Sequence, residues 1–217
     1  MPPPLTASDP GRPRRRDAAE NRAAILAAAA ACLRVQADAT LQTIADRAGL
    51  TRRAFYGHFA TREELIAELV VNGASRVAAA LAGLTGLDTG DSRIAIARMG
   101  SVVWHEVSDV RVMARLAVRG EFAHTVAEAL TPVRQQLLDV VTRGVAAGEL
   151  RQDIAPELLS RLIEGAALAV LDETTRSPLT GPEGSRLVMQ ASLAMAGLSW
   201  TEANGVITTI TPDGMGS

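Results

Sequence analysis

The chain contains 217 residues, of which 47% are hydrophobic and 21% charged, with a formal net charge of −2. This composition suits a globular protein of one or two domains. A single cysteine, Cys32, excludes an internal disulfide, and the apolar stretch from Ala23 to Leu33 is too short to span a bilayer. Residues 1–16 lack the apolar segment of a signal peptide, so we expect a cytoplasmic protein with no membrane contact. Aromatic residues make up only 3% of the chain, which favours an all-α fold with a core of small aliphatic side chains.

The charge is distributed unevenly along the chain. Residues 1–62 hold ten arginines and five acidic residues, whereas the remainder holds twelve arginines and nineteen acidic residues. A basic head on an acidic body indicates a polyanionic partner at one end, although a basic segment solvated by water has the same composition.

The first predicted elements are an arm and a helix. Residues 1–15, rich in proline and arginine, are predicted to form a disordered basic arm, which could attract phosphates or enter a DNA minor groove. Asp17 and Glu20 have the spacing of a capping box and predict a helix from there to about Val35.

Two short helices and a longer one are predicted next. Thr40 can cap a helix over 41–48, Gly49 can end it, and Thr51 can cap another helix directly afterwards. This order is the helix-turn-helix pattern. Thr61 and Glu64 form a second capping-box pattern that opens a helix to about residue 82.

The rest of the chain is predicted to be helical. Apolar residues recur at helical spacing over 93–106, 110–118, 121–147, 156–173 and 184–199. Residues 206–211 alternate with period two, and we interpret residues 201–217 as a C-terminal tail.

The helix after Thr51 carries the most informative surface. Phe55 and Phe59 lie four residues apart and would share the inner face, whereas Arg52 and Tyr56 would share another face, with Arg53 beside them. Guanidinium groups at the start of a helix can bind guanine edges or phosphates in a DNA major groove. The two arginines could also be merely solvated, Tyr56 could pack against the first helix, and the neighbouring His58 could cap or fill a gap.

The letters Ile44-Ala45, Ala48-Gly49-Leu50, Phe55-Tyr56, His58-Phe59 and Arg62-Glu63-Glu64-Leu65 occur together at fixed spacing. On these residues the chain resembles the TetR family of bacterial transcriptional regulators over about residues 20–70. The resemblance implies a three-helix helix-turn-helix DNA-binding domain over 16–67. It also implies a larger helical ligand-binding and dimerisation domain over 68–200.

The resemblance further implies a repressor that binds a palindromic double-stranded DNA operator as a homodimer and is released by a small-molecule effector. The positions that correspond to the family's DNA contacts are Thr40, Thr51, Arg52, Arg53, Tyr56, His58 and Arg62. Three departures are Arg53, where a small residue is frequent, Arg62, which replaces the usual lysine, and the link around Ala37 to Ala39. That link is shorter than is common and lacks the usual glycine.

In the family the second domain encloses a pocket for a small molecule. Large or polar-tipped side chains that could line it, or could instead be core or surface residues, are Trp104, His105, Met113, Phe122 and His124. Helices 156–173 and 184–199 carry more apolar surface than one core needs, which predicts a four-helix dimer interface, unless the helices are buried internally. Its candidate residues are Leu158, Leu162, Ile163, Ala166, Val188, Ala191 and Met195.

The sequence gives little support for an enzyme or a metal site. His105-Glu106 lacks the second histidine of the zinc-protease motif, and neither a phosphate-binding glycine loop nor a nucleophile elbow occurs. We therefore predict no enzyme activity, no metal and no cofactor. A helical module that binds a ligand or a protein without any role on DNA is the alternative function.

Overall fold

The computed structural model describes residues 12–36, 38–87, 90–107, 123–173 and 179–210. Every regular element within these ranges is an α-helix, as the all-α prediction requires. The chain divides into two compact units, Met1–Ile66 and Ala67–Ser217, and the boundary falls inside one long helix.

The first unit contains α1 (Arg12–Val35), α2 (Leu41–Arg47), α3 (Arg52–Tyr56) and the first turn of α4 (Arg62–Ala82). Helix α1 begins before the predicted capping box, so the expected disordered arm is wrong for residues 12–15, while residues 1–11 lie outside the described ranges. Pro13 falls in the first turn, where the missing N–H of a proline breaks no helical hydrogen bond.

Threonine caps set the spacing of α2, α3 and α4. Thr40 Oγ1 accepts from the Thr43 N–H at 3.1 Å, and Thr51 Oγ1 accepts from the Ala54 N–H at 3.3 Å. Between these caps Gly49 has φ +69°, the left-handed conformation that ends a helix at low energetic cost in glycine. The predicted short helices and the turn between them are confirmed.

The second unit contains the rest of α4 and six further described helices. These are α5 (Ser92–Val107), α6 (Ala123–Ala129), α7 (Thr131–Ala146), α8 (Pro156–Glu173), α9 (Gly181–Met195) and α10 (Trp200–Ile210). The helix predicted over 121–147 is divided at Leu130, with Pro132 in the first turn of α7. The helix predicted over 110–118 lies outside the described residues.

Helix α9 starts at Gly181 rather than at residue 184 because Thr180 and Glu183 form a capping box. The hydrogen bonds that Glu183 accepts from the backbone and hydroxyl of Thr180 lower the pKa of this carboxyl group.

The predicted C-terminal tail is wrong over residues 201–210, which belong to α10. Ser199 and Glu202 cap this helix reciprocally, since the Glu202 carboxylate accepts from the Ser199 N–H at 2.8 Å and the Glu202 N–H approaches Ser199 Oγ at 3.3 Å. Ala203 and Ile207 are buried in the core of the unit. Packing of this helical stripe outweighs the local strand preference of the β-branched residues.

The core of the second unit is aliphatic and centres on α5, which packs against α7, α9 and α10. Its buried residues include Val77, Leu81, Ile96, Met99, Val140, Val141, Met189, Leu193, Ala203 and Ile207. Helix α4 has the length and hydropathy of a membrane span. The apolar core helices of globular proteins share that property, and Val77 and Leu81 of α4 are such core residues.

A glycine on α9 makes room for the largest buried side chain. Trp104 is 1% exposed, and a Cβ built on Gly184 would lie 1.9 Å from the Trp104 ring. A rigid, enclosed indole has no room to move aside, so the two helices can approach only if residue 184 lacks a side chain.

We expect Gly184→Ala to lower the free energy of unfolding by about 2–3 kcal/mol, because the added methyl group overpacks the core. Gly205→Ala on α10 is the matched control, since a Cβ there meets nothing within 4 Å. It should raise stability by about 0.5–1 kcal/mol. Urea denaturation measures both changes, and equal stability of the two variants would contradict this account of the Trp104 contact.

Candidate nucleic-acid interface and ligand cavity

The inner face of α3 is anchored by two phenylalanines. Phe55 and Phe59 are both 0% exposed, and their ring centroids lie 6.2 Å apart. Burying Phe55 on this five-residue helix, and Phe59 just beyond its end, fixes the rotation of the helix. The opposite face of α3 is consequently presented to solvent.

The outer face of α3 carries the predicted DNA-contacting side chains. Thr51, Arg52 and Arg53 are exposed, and Tyr56 retains 42% of its surface. The guanidinium carbon of Arg52 lies 5.5 Å from the centroid of the Tyr56 ring, a cation–π distance that restricts both side chains. This face therefore combines two arginines and a phenol on one short helix.

The remaining predicted DNA contacts lie around α3. Thr40 is exposed at the start of α2, while His58 and Arg62 are partly buried in the turn after α3 and at the start of α4. The Thr40 hydroxyl is within 2.9 Å of the Thr43 hydroxyl, so the α2 cap already uses part of its hydrogen-bonding capacity. All seven predicted residues belong to the first unit.

A further arginine, which the sequence reasoning did not select, links α1 to the turn after α3. Arg22 Nη1 donates to the His58 carbonyl at 2.8 Å, and its guanidinium carbon lies 4.3 Å above the Phe59 ring. Arg22 shares a helical stripe with the buried Ile25 and Ala29, three and seven residues later. An arginine on an apolar stripe is the sequence signal that could have identified it.

The second unit contains a cavity of about 160 Å³ lined mainly by α4, α5, α7 and α8. Its walls are mainly aliphatic side chains, such as Leu69, Val77, Val103, Leu137 and Ile163. Three of the five residues predicted to form a pocket are described, and they are placed elsewhere.

Trp104 packs in a separate core cluster with Val170 and Val188. His105 is exposed with Nδ1 2.7 Å from the Ser101 carbonyl, and the exposed His124 lies 3.7 Å from Glu128 Oε1. None of these three residues lines the cavity, and the remaining two, Met113 and Phe122, lie outside the described residues.

The cavity wall includes an ion pair. Arg134 Nε and Nη2 donate to Glu164 Oε1 at 3.0 and 2.8 Å, and Nη1 donates to the Ala127 carbonyl at 3.3 Å. The hydrogen bonds to the Glu164 carboxylate raise the pKa of Arg134 above its usual value. An ion pair therefore borders an otherwise apolar space.

The predicted dimer residues fall into two classes. Ile163 and Val188 are 3% and 0% exposed, so they are core residues and the interface prediction is wrong for both. Leu158 is 45% exposed, and the others, Leu162, Ala166, Ala191 and Met195, are partly buried. Leu187 on α9, which was not predicted, is 40% exposed. The apolar face left on α8 and α9 is thus centred on Leu158, Leu162 and Leu187.

Comparison with known proteins agrees with the sequence motifs. Residues 25–69 match the sequence model of the family described as bacterial regulatory proteins, tetR family. This match confirms the resemblance in the first unit. No curated protein sequence gives a significant match.

Three solved structures are similar over most of the chain. The fatty acid degradation regulator FadR from Bacillus halodurans has 16% identity and a TM-score of 0.66, covering 88% of this chain and 97% of its own. RolR in complex with resorcinol has 19% identity and a TM-score of 0.58, with 90% and 96% covered. SmeT, the repressor of a Stenotrophomonas maltophilia multidrug efflux pump, has 22% identity and a TM-score of 0.57, with 81% and 91% covered. At these identities the comparisons establish the shared fold.

We expect Arg22→Ala to destabilise the α3 region by about 1–2 kcal/mol, because it removes the hydrogen bond to the His58 carbonyl and the cation–π contact with the Phe59 ring. Amide hydrogen exchange across residues 52–59 should accelerate. Arg53→Ala is the control, since an exposed arginine should change stability by less than about 0.5 kcal/mol. Exchange rates that are the same in both variants would show that Arg22 does not hold this turn.

Proposed function

We propose, on the premise that residues 25–69 carry the DNA-binding domain of the tetR family, that this protein is a ligand-responsive transcriptional repressor. It binds a palindromic operator as a homodimer and leaves the operator when a small molecule occupies the second unit. The observation that carries the proposal is the exposed face of α3, held outward by two buried phenylalanines.

The side chains of that face suit a major groove. Arg52 and Arg53 in the first turn of α3 can hydrogen-bond guanine O6 and N7, and Tyr56 and Thr51 can donate to phosphates. Thr40, His58 and Arg62 flank the helix at positions where the family contacts the backbone. The net positive charge of residues 1–62 favours a polyanion over a neutral partner.

The apolar face of α8 and α9 supports a homodimer. Leu158 and Leu187 are large aliphatic residues that keep 45% and 40% of their surface exposed, an arrangement that a symmetric partner would bury. Two helices from each of two chains would form a four-helix bundle. A dimer matches an operator with two half-sites, because protein and DNA then share a two-fold axis.

The cavity supports control by a small molecule. RolR, which has this fold, is solved with resorcinol, and the cavity in the second unit is lined mainly by side chains of four helices. Ligand binding can release DNA only if the ligand prefers the conformation that binds DNA less tightly. A ligand that favours a different separation of the two DNA-binding heads would meet this condition.

We expect Arg52→Ala and Arg53→Ala each to weaken operator binding by about 1–3 kcal/mol if the side chain contacts a base, and to relax sequence preference at that position. If the side chain contacts a phosphate instead, binding should weaken by the same factor for all sequences. The slope of the logarithm of the binding constant against the logarithm of the salt concentration should then become shallower by about one. Selection of sites from randomised duplexes followed by gel shift at several salt concentrations measures both effects.

Arg98→Ala is the matched control, because Arg98 is an exposed arginine of the second unit and donates to the Thr85 carbonyl. It should leave binding and selected sequence unchanged. Selection of an inverted repeat by the unmodified protein would support the operator. A protein that binds random duplex equally well would contradict the repressor and indicate non-specific DNA coating. A protein that binds no duplex would also contradict it and indicate a module without a DNA role.

We expect the double variant Leu158→Glu/Leu187→Glu to raise the dimer dissociation constant by at least about tenfold, because carboxylates would be buried without partners. Sedimentation velocity should then detect monomers. Val35→Glu is the control, since Val35 is an 85% exposed aliphatic residue of the first unit. A double variant that remains as dimeric as this control would disprove the α8–α9 interface.

A further inference from the structure

The cavity of the second unit has a volume that suits a small ligand. Its volume is about 160 Å³. A protein cavity of about 150 Å³ lined by aliphatic and aromatic side chains is large enough to bind benzene. A compact ligand with a single ring, or a short branched chain, therefore fits this space.

The walls restrict the ligand's polarity. Four helices supply aliphatic side chains to the wall, and its polar side chains among the described residues are those of Glu106, Arg134, Glu164 and Ser192. A polar ligand would lose most of its hydrogen bonds to water on entering such a space, since few wall atoms could replace them. Hydrocarbon must therefore form most of the ligand surface.

The charges around the cavity are already balanced. Arg134 is bound to Glu164 through Nε and Nη2, and Arg76 donates from Nε to Glu106 Oε2 at 3.4 Å. An anionic ligand beside Arg134 would also lie against the Glu164 carboxylate and be repelled by it. A cationic ligand would face Arg134 across the same apolar space. Either charge would lose hydration without gaining an unpaired counterion from the described wall residues.

We propose that the effector of this cavity is an uncharged, mainly hydrocarbon molecule of about six to ten non-hydrogen atoms that carries one hydroxyl or carbonyl oxygen. The oxygen lies beside the Arg134–Glu164 pair and exchanges a hydrogen bond with it, while the hydrocarbon part contacts the walls from α4, α5 and α8. This inference rests on the proposed function of the second unit as the effector-binding domain, and it specifies the chemical class of that effector.

Four probes of matched shape test the proposal by isothermal titration calorimetry on the full chain without DNA. Benzyl alcohol is neutral with one hydroxyl, toluene lacks the hydroxyl, benzoate is an anion and benzylamine is a cation. We expect benzyl alcohol to bind at least tenfold more tightly than benzoate or benzylamine, and more tightly than toluene. Tighter binding of either charged probe, or no binding of any of the four, would overturn the proposal.

Two glycine variants locate the binding. Gly73 lines the cavity and a Cβ there meets nothing within 4 Å, so Gly73→Leu should fill the space and weaken benzyl alcohol binding at least tenfold. Gly205→Leu also adds a side chain to open space on a helix, but outside the cavity, and should leave the affinity unchanged. Equal affinities of these two variants would place the probe elsewhere and overturn the proposal.

The ion pair is tested by replacing both partners together, which leaves no unpaired charge. Arg134→Met/Glu164→Leu should reduce the preference for benzyl alcohol over toluene to less than twofold while toluene still binds. The control Arg151→Met/Asp153→Leu removes an ion pair of similar geometry, with Nη2 and Oδ2 2.7 Å apart, that does not line the cavity. The preference should persist there, and its persistence in the Arg134 variant would disprove the role of the pair.

The DNA experiments separate this inference from the proposed function. Operator binding is measured without any probe, so a protein that binds an operator but none of the probes disproves the effector class and leaves the DNA-binding function standing. A protein that binds benzyl alcohol in the cavity but no DNA disproves the repressor and leaves the ligand class standing.

Discussion

The anchoring of Phe55 and Phe59 is the constraint on which the first unit depends. A helix as short as Arg52–Tyr56 is unstable by itself, because four of its N–H groups and four of its carbonyls have no partner within it. Two buried rings and the cap from Thr51 hold it in place, and Arg22 fixes the turn that follows. The exposed positions of Arg52, Arg53 and Tyr56 follow from this anchoring, since the buried rings fix which side of α3 faces the core.

Arginine serves two different purposes in this unit. Arg22 covers the face of Phe59 and satisfies a backbone carbonyl, so its guanidinium belongs to the scaffold. Arg52 stacks near Tyr56 on the solvent side, where its remaining donors can reach a ligand. The guanidinium group suits both uses because its flat faces stack on rings while its edge donates hydrogen bonds.

The second unit combines a dense core with an unfilled space. Trp104 packs against the bare backbone of Gly184, so that part of the core has no room for a further methyl group. Between α4, α5, α7 and α8, by contrast, aliphatic side chains leave a cavity whose wall includes the Arg134–Glu164 pair. An ion pair in an apolar wall adds little net stability, but its fixed direction can select a ligand. Helix α8 places Ile163 in the cavity wall and presents Leu158 to solvent.

Local sequence patterns determined the helical class, the caps at Thr40 and Thr51, the glycine turn and the inward and outward faces of α3. Each depends on residues close in the chain and on the period of the helix. Tertiary structure decided the features that depend on distant residues. The β-branched residues of α10 are helical because Ala203 and Ile207 pack in the core. Ile163 and Val188 are buried in the core and so do not belong to the exposed apolar face. Trp104 joined the core rather than the cavity, and Arg134 met Glu164 thirty residues away. Such contacts depend on how separate helices pack against one another. The spacing of residues within one helix carries no information about that packing.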